Sequence, residues 1–296
     1  MESLKIPDYS RWRNLRSSDG TKLFCREWET DTTAKATIIL VPGLGEHSGR
    51  YVHVGNFFKK AGFNVLAVDV RGQGRSGGTP GYVESYDQFL EDVRAAIQVV
   101  KIFPLFILGH SFGGQLALAL AARDEPNIAG YVISAPWLAL TKPPAAWMVG
   151  LGSLMNRVCP KYRFPTGLER SQNSSDEAHL DSLADLDFNH SFITARVFFE
   201  IIGEARRLLS RPRANAPVLI VQGRPDPVTS TETSIDFYQR LDAPAKELII
   251  YDGLLHELHN DKGRTRVLED YLAWIEKGVL PVNGNRVSET SRTHFP

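Results

Sequence analysis

The 296-residue sequence predicts an α/β fold, a mostly parallel central sheet flanked by helices, on three observations. Six short apolar runs recur along it: ATIILV (36–41), NVLAVDV (64–70), PLFILG (104–109), GYVIS (130–134), PVLIVQG (217–223) and KELIIY (246–251). Each run is continuous rather than alternating, as a strand covered on both faces requires. Helix-length segments lie between them, at 51–61, 86–101, 113–123, 231–241 and 265–277. Strand alternating with helix is the pattern of a parallel sheet built from crossover units.

Taken in order, the chain begins differently. RWRNLRS and TKLFCREW flank the turn signal Ser18-Asp19-Gly20, so residues 11–28 read as an antiparallel hairpin on the sheet edge. The alternation then runs to residue 134 and resumes at 217. Between Pro136 and Pro217 lie about 80 residues carrying Pro143, Pro144, Pro160 and Pro165, a polar stretch at 170–177, and a helix over 193–209. That helix has Val197, Phe198, Ile201 and Leu208 roughly on one face. An insertion of this size between two strands reads as a helical cap. The expected division is therefore a core of 1–136 and 217–280, a cap of 137–216, and a polar, loose tail of 281–296.

Composition removes several function classes. Lys plus Arg and Asp plus Glu each number 34, so formal charge cancels and no basic excess marks a nucleic-acid binder. Two cysteines, Cys25 and Cys159, make no disulfide framework and point to a reducing compartment. MESLKIPDYSRW has no apolar core of signal-peptide length. The charge-free stretch 143–156 is too short to span a bilayer. The expectation is a cytoplasmic protein, at most peripheral to a membrane.

Chemistry enters at residues 104–123, PLFILGHSFGGQLALALAAR. Gly109-His110-Ser111-Phe112-Gly113 matches G-x-S-x-G between an apolar strand and an Ala/Leu-rich helix. A serine on so sharp a strand-to-helix turn exposes its hydroxyl, and the flanking glycines are needed because side chains there would strike neighbouring backbone. The helix N-terminus aims its dipole at a developing anion. Such a hydroxyl needs a base, and the base an orienting acid, which in folds of this type follow in the order Ser, acid, His. Asp226, in Arg224-Pro225-Asp226-Pro227, lies on the loop after the strand 217–223. The other customary acid position, after Ser134, reads APWLALTKPP and offers no carboxylate. After the strand 246–251 comes DGLLHELHND, which offers both His256 and His259 as the base. The pair forms no metal motif: HELH is one residue short of H-E-x-x-H and follows a strand. No metal or cofactor is expected. An oxyanion hole needs the Phe112 N–H and a second donor from the loop 41–51, where Leu44 is placed to supply it. Gly72-Gln73-Gly74-Arg75-Ser76-Gly77 fits a dinucleotide fingerprint, but no helix follows it directly, so it reads as a structural loop.

With PGLGEHSGRY, VDVRGQGRSGG, GHSFGG, GRPDPV and DGLLHELHND in this order, the sequence resembles the α/β-hydrolases of the monoacylglycerol lipase and lysophospholipase group up to about Gly278. The resemblance implies ester hydrolysis through an acyl-enzyme, with Ser111, Asp226 and His256 as the triad. It favours His256 over His259 as the base. It also implies that Glu46, Arg50 and His259 line the alcohol end of the pocket. For Glu46 and Arg50, the sequence alone equally allows a surface ion pair of little consequence. Two departures stand out. The group commonly has His-Gly where Pro42-Gly43 stands here, and relatives carry a cap tyrosine near the headgroup, whereas Tyr162 is the only tyrosine between Pro136 and Pro217. The implied partner is a small lipid ester, most specifically a monoacylglycerol. Lysophospholipids, other carboxylic esters and thioesters are alternatives, and a non-catalytic binding protein is a more distant one. The apolar stretch 137–155 suggests transient contact between the cap and a membrane or micelle, or else plain cap core.

Overall fold

The computed structural model describes residues 10–183, 186–279 and 289–294. The hairpin comes first. β1 (Arg11–Arg16) and β2 (Lys22–Trp28) pair antiparallel, from Arg11 opposite Glu27 to Arg16 opposite Lys22. β3 (Thr37–Val41) leads through a 3₁₀ turn at Ser48–Tyr51 into α1 (Val52–Lys60), followed by β4 (Asn64–Val68) and α2 (Tyr86–Gln98). β5 (Leu105–His110), α3 (Phe112–Ala122) and β6 (Ile128–Ser134) complete the first half. The chain then leaves the sheet. It forms α4 (Ala146–Val158), a two-strand ribbon of β7 (Arg163–Pro165) and β8 (Phe192–Thr194) with α5 (Glu177–Ser182) between them, and α6 (Ala195–Ser210). It returns as β9 (Val218–Gly223), α7 (Thr231–Arg240), β10 (Lys246–Tyr251), α8 (Arg264–Val279) and β11 (Glu289–His294).

The large sheet has the order β1-β2-β4-β3-β5-β6-β9-β10-β11. β2 joins β4 antiparallel, and every pair from β4 onward is parallel. The reason for continuous apolar strands is visible in β3. Ile39 and Val41 belong to the core under α2, α3 and α6, while Ile38 and Leu40 belong to the core under α1 and α8. With both faces covered, no position of β3 can be polar toward water. α3 is buried at every residue, so it shows no amphipathic stripe.

One sequence expectation is revised and one is resolved. The tail residues 289–294, read as loose, add a parallel strand to β10. Without it β10 would be an edge strand, and its backbone groups along Lys246–Tyr251 would be unpaired on one side, which any extended segment can satisfy. The apolar stretch 137–155, left open between core and surface, divides: Trp137 and Leu138 are buried in the core, whereas α4 buries none of its residues, with Trp147 71%, Leu154 56% and Val158 66% exposed. Among the described residues, no helix is long and apolar enough to cross a membrane.

The glycine-rich loop after β4 is structural and anchored by charge. Buried Arg71 donates from Nε and Nη2 to both carboxylate oxygens of Asp92 on α2, at 2.7 to 3.1 Å. It also donates to Asp19 in the hairpin turn at 2.6 Å. Asp92 is fully buried, so removing it strands a cation. The Asp92→Ala variant is expected to lose about 3–5 kcal/mol of stability, measured as a lower urea midpoint; a shift under about 1 kcal/mol would show the anchor is dispensable.

Candidate active site

The parallel strands place their C-terminal ends along one edge, where open α/β sheets form their sites. At the end of β5, Ser111 takes φ 53° and ψ −113°, a positive φ that side-chain-bearing residues rarely adopt. Its flanking glycines show why. A Cβ on Gly113 would lie 2.0 Å from the Val41 carbonyl, and one on Gly109 would lie 2.3 Å from the Gly113 carbonyl. The Ser111 N–H donates to the Ser134 carbonyl at 2.8 Å, and its own carbonyl accepts from Trp137 at 3.0 Å, so the turn is fixed against the end of β6.

The structure brings Ser111, His256 and Asp226 together in one hydrogen-bonded line. Ser111 Oγ lies 3.0 Å from His256 Nε2, and His256 Nδ1 lies 2.8 Å from Asp226 Oδ2. An ionised carboxylate only accepts, so Nδ1 carries the proton and Nε2 is free to accept from the serine hydroxyl. Asp226 is saturated with donors. Oδ1 accepts from the Val228 and Thr229 N–H groups at 2.8 and 3.0 Å, and Oδ2 from Gln222 Nε2 and Thr229 Oγ1, both at 2.8 Å. Burial alone would raise this carboxyl, but His256 and these donors hold it below the usual carboxylate range. Burial likewise works against a charged His256, yet Asp226 outweighs it and raises the imidazole above its ordinary 6.5.

On the other side of Ser111, the loop after β3 carries Leu44 between two committed amides. The Gly43 N–H donates to Glu46 Oε2 at 3.1 Å, and the Gly45 N–H to Gln73 Oε1 at 2.7 Å. Among the described residues, neither the Leu44 N–H nor the Phe112 N–H at the start of α3 has a protein acceptor. Two backbone N–H groups, of Leu44 and of Phe112 next to Ser111, are thus uncommitted within the protein.

Glu46 and Arg50 are not a surface pair. Both line the cavity, and Arg50 is 7% exposed. The principal partner of Arg50 is Glu257, which sequence reasoning passed over: Nη2 donates to Oε2 and Oε1 at 2.5 and 2.7 Å. Arg50 Nε lies 3.7 Å from Glu46 Oε1, and Glu46 accepts instead from the Tyr51 hydroxyl at 2.6 Å. Burial and the nearby Glu257 carboxylate raise Glu46, whereas Arg50 overcomes burial to lower Glu257. The one available signal for Glu257 was its place beside His256, where it was weighed only as part of a metal motif. Among the described residues, no group of His, Cys, Asp and Glu is arranged to hold a metal ion.

His259 stands apart from the cavity wall. It is 2% exposed, stacked on Tyr51 at 4.6 Å between ring centres and edge-on to His110 at 4.8 Å. Burial and neighbouring imidazoles keep His259 well below 6.5 and His110 down at about 3. Tyr162 is half exposed against Phe164 and also does not line the cavity. The cavity itself has a volume of about 940 Å³ and includes Ser111 and His256. Its lining includes an apolar set, Leu140, Trp147, Met148, Leu151, Phe198 and Val228, and a hydrogen-bonded polar cluster of Glu46, Arg50, Asn173 and Glu257.

Several known proteins are similar to this chain. A monoacylglycerol lipase of Mycolicibacterium smegmatis is 29% identical over 264 residues, covering 86% of this chain and 93% of that protein. The monoglyceride lipase of Homo sapiens is 29% identical over 268 residues, covering 86% of each. An uncharacterized abhydrolase domain-containing protein of Dictyostelium discoideum is 29% identical over 270 residues, and this chain spans only 29% of its length. Among solved structures, a Paleococcus ferrophilus monoacylglycerol lipase superposes with a TM-score of 0.79 at 26% identity, covering 86% of this chain and 99% of that one. The family described as serine aminopeptidase, S33 matches residues 32–263, from the approach to β3 into the loop before α8, and the chain belongs to that α/β-hydrolase family.

Proposed function

We propose that the chain hydrolyses monoacylglycerols through a serine acyl-enzyme. One observation carries the reading: Ser111 shares one cavity with a set of apolar side chains from α4 and α6 and with a hydrogen-bonded polar cluster around Glu46 and Arg50. An ester joining a long acyl chain to a small polyol matches that division. The similarity to monoacylglycerol lipases supports it.

In this mechanism His256 takes the Ser111 proton as the oxygen attacks the ester carbonyl. The Leu44 and Phe112 N–H groups receive the oxyanion, each donor worth roughly 10²–10³ in rate. His256 then protonates the departing glycerol, and water repeats the sequence on the acyl-enzyme. Asp226 fixes the imidazole tautomer and stabilises its charged form. Glu46 and Arg50 receive the glycerol hydroxyls. His259 supports them from behind, through the Tyr51 ring whose hydroxyl binds Glu46.

The excursion between β6 and β9 acts as the cap over this cavity, and α4 is its membrane-facing edge. Trp147, Leu151, Leu154 and Val158 recur at helical spacing and are all exposed, and the first two also line the cavity. An apolar stripe at the mouth of a lipid site is placed to rest on the surface that holds the substrate.

A panel of 1- and 2-monoacylglycerols, lysophosphatidylcholine, 4-nitrophenyl butyrate and alanine 4-nitroanilide tests the substrate class. Monoacylglycerols should lead it, with no turnover of any member by Ser111→Ala. A preference for the anilide would return the chain to the aminopeptidase activity of its family's description. The pH profile tests the triad: kcat/KM should rise with pH through a midpoint above 6.5, because the base must be neutral and Asp226 raises its pKa. Asp226→Asn should cost about 10⁴ in turnover and move that midpoint down; an unmoved midpoint would place the acid elsewhere. For the membrane edge, Leu154→Asp with Val158→Asp should abolish co-sedimentation with liposomes while Ser111 still labels with a fluorophosphonate. Undiminished co-sedimentation would rule the stripe out.

A further inference from the structure

Charge is distributed unevenly around the cavity. At the mouth, Lys142 and Arg170 are exposed, and Arg170 is paired with Asp181 at 2.6 Å. Among the described lining residues the buried guanidinium is that of Arg50, and two carboxyls meet it. Taken alone, a buried arginine beside the reacting ester would attract a phosphate or carboxylate on the leaving group. Here its Nη2 is occupied by both oxygens of Glu257, and Glu46 stands beyond its Nε. Glu257 is itself held in place. Its N–H donates to the Asn173 carbonyl at 2.7 Å, and Asn260 Nδ2 donates to its Oε2 at 2.6 Å. It is 1% exposed, so it cannot swing away to water and release the arginine.

We propose that Glu257 is a specificity-determining residue: by occupying Arg50 it cancels the one guanidinium beside Glu46, so uncharged leaving alcohols are accepted and anionic ones find no cation to pair with. The inference rests on assigning that cluster to the leaving group, as in the mechanism above. Its energetic basis is simple electrostatics. With Glu257 bound to it, the guanidinium offers no net positive charge to an incoming anion, which then loses its hydration in a buried site without a cation, a discrimination of roughly tenfold to a hundredfold at the effective dielectric of a protein site. The effect on an uncharged alcohol is small because there is no net charge to desolvate.

The test uses two small esters of nearly equal shape, 4-carbamoylphenyl butyrate and its anionic counterpart 4-carboxyphenyl butyrate. The unmodified protein should favour the neutral ester in kcat/KM by about tenfold or more. Glu257→Gln should narrow that ratio by about tenfold, and Arg50→Gln should widen it. Labelling of Ser111 by a fluorophosphonate confirms that each variant is folded with a working nucleophile. A neutral-to-anionic ratio below about threefold in the unmodified protein overturns the proposal even if both variants fail to fold. So does a ratio unchanged in a Glu257→Gln protein that labels normally. Monoacylglycerol is assayed beside the two esters. No turnover of it, with both aryl esters cleaved, removes the lipid reading and leaves the charge comparison standing. Full monoacylglycerol turnover with no charge discrimination removes the proposal alone.

Discussion

Ser111 is held at φ 53° and ψ −113°, a conformation costing a non-glycine residue on the order of 1–3 kcal/mol, and three strands cooperate to hold it there. β5 delivers it, β6 takes its N–H through the Ser134 carbonyl, and β3 brings the Val41 carbonyl so close to Gly113 that no side chain fits between. α3 then runs from it into the middle of the molecule, with every residue buried. Because β3, β5, β6, β9 and β10 all run parallel, their C-terminal ends share one edge. The loops with Leu44, Asp226 and His256 therefore reach Ser111 without any long detour. An antiparallel sheet would send half of them to the opposite edge.

Around that residue, buried carboxylates serve two opposite electrostatic ends. Asp226 is surrounded by donors and stays ionised, and its field raises His256 into the range where an imidazole can exchange protons near neutrality. Glu46 and Glu257 have far fewer donors and share one guanidinium, so the pair divides unequally: Glu257 takes the arginine and the charge, and Glu46 rises. The first arrangement supplies a base. The second keeps a polar pocket from becoming a cationic one. His110 and His259, close by, are held neutral by burial and add no charge to either.

What could be read from the sequence follows from how local each signal is. The strands were legible because a two-faced sheet demands an unbroken apolar run. Ser111 and Asp226 could be singled out because each lies just past such a run, where chain order and loop position point to them; the same position offered both His256 and His259, and only the family resemblance favoured His256. Glu257 acts through Arg50, 207 positions away, and Gln73 through Gly45, so nothing beside them in sequence reveals either role. Position could mislead too: His259 is three residues past His256, yet Tyr51 and His110 pack against its ring and it does not line the cavity. The stripe of α4 was legible as apolar but not as exposed, since periodicity gives a face and not what covers it.

The same logic explains how the excursion between β6 and β9 can vary without disturbing the chemistry. Two backbone hydrogen bonds tie it to the loops that carry Leu44 and His256, and bonds from Ser174 and Ser175 to Asn260 and Asp261 reinforce the tie on the His256 side. The Asn173 carbonyl accepts from the Glu257 N–H at 2.7 Å, and the His190 N–H donates to the Gly45 carbonyl at 3.1 Å. Gly45 has φ 76°, and a Cβ there would lie 2.2 Å from the His190 carbonyl, so this second tie requires glycine as well as a hydrogen bond. α4 lies outside both ties and packs on α6, where Gly152 faces Phe199. Changes in α4 alter the shape and apolarity of the cavity mouth, but the backbone that positions Leu44 and His256 is fixed elsewhere. Substrate fit and catalysis are thus attached to the sheet at different places, so one can change while the other is kept.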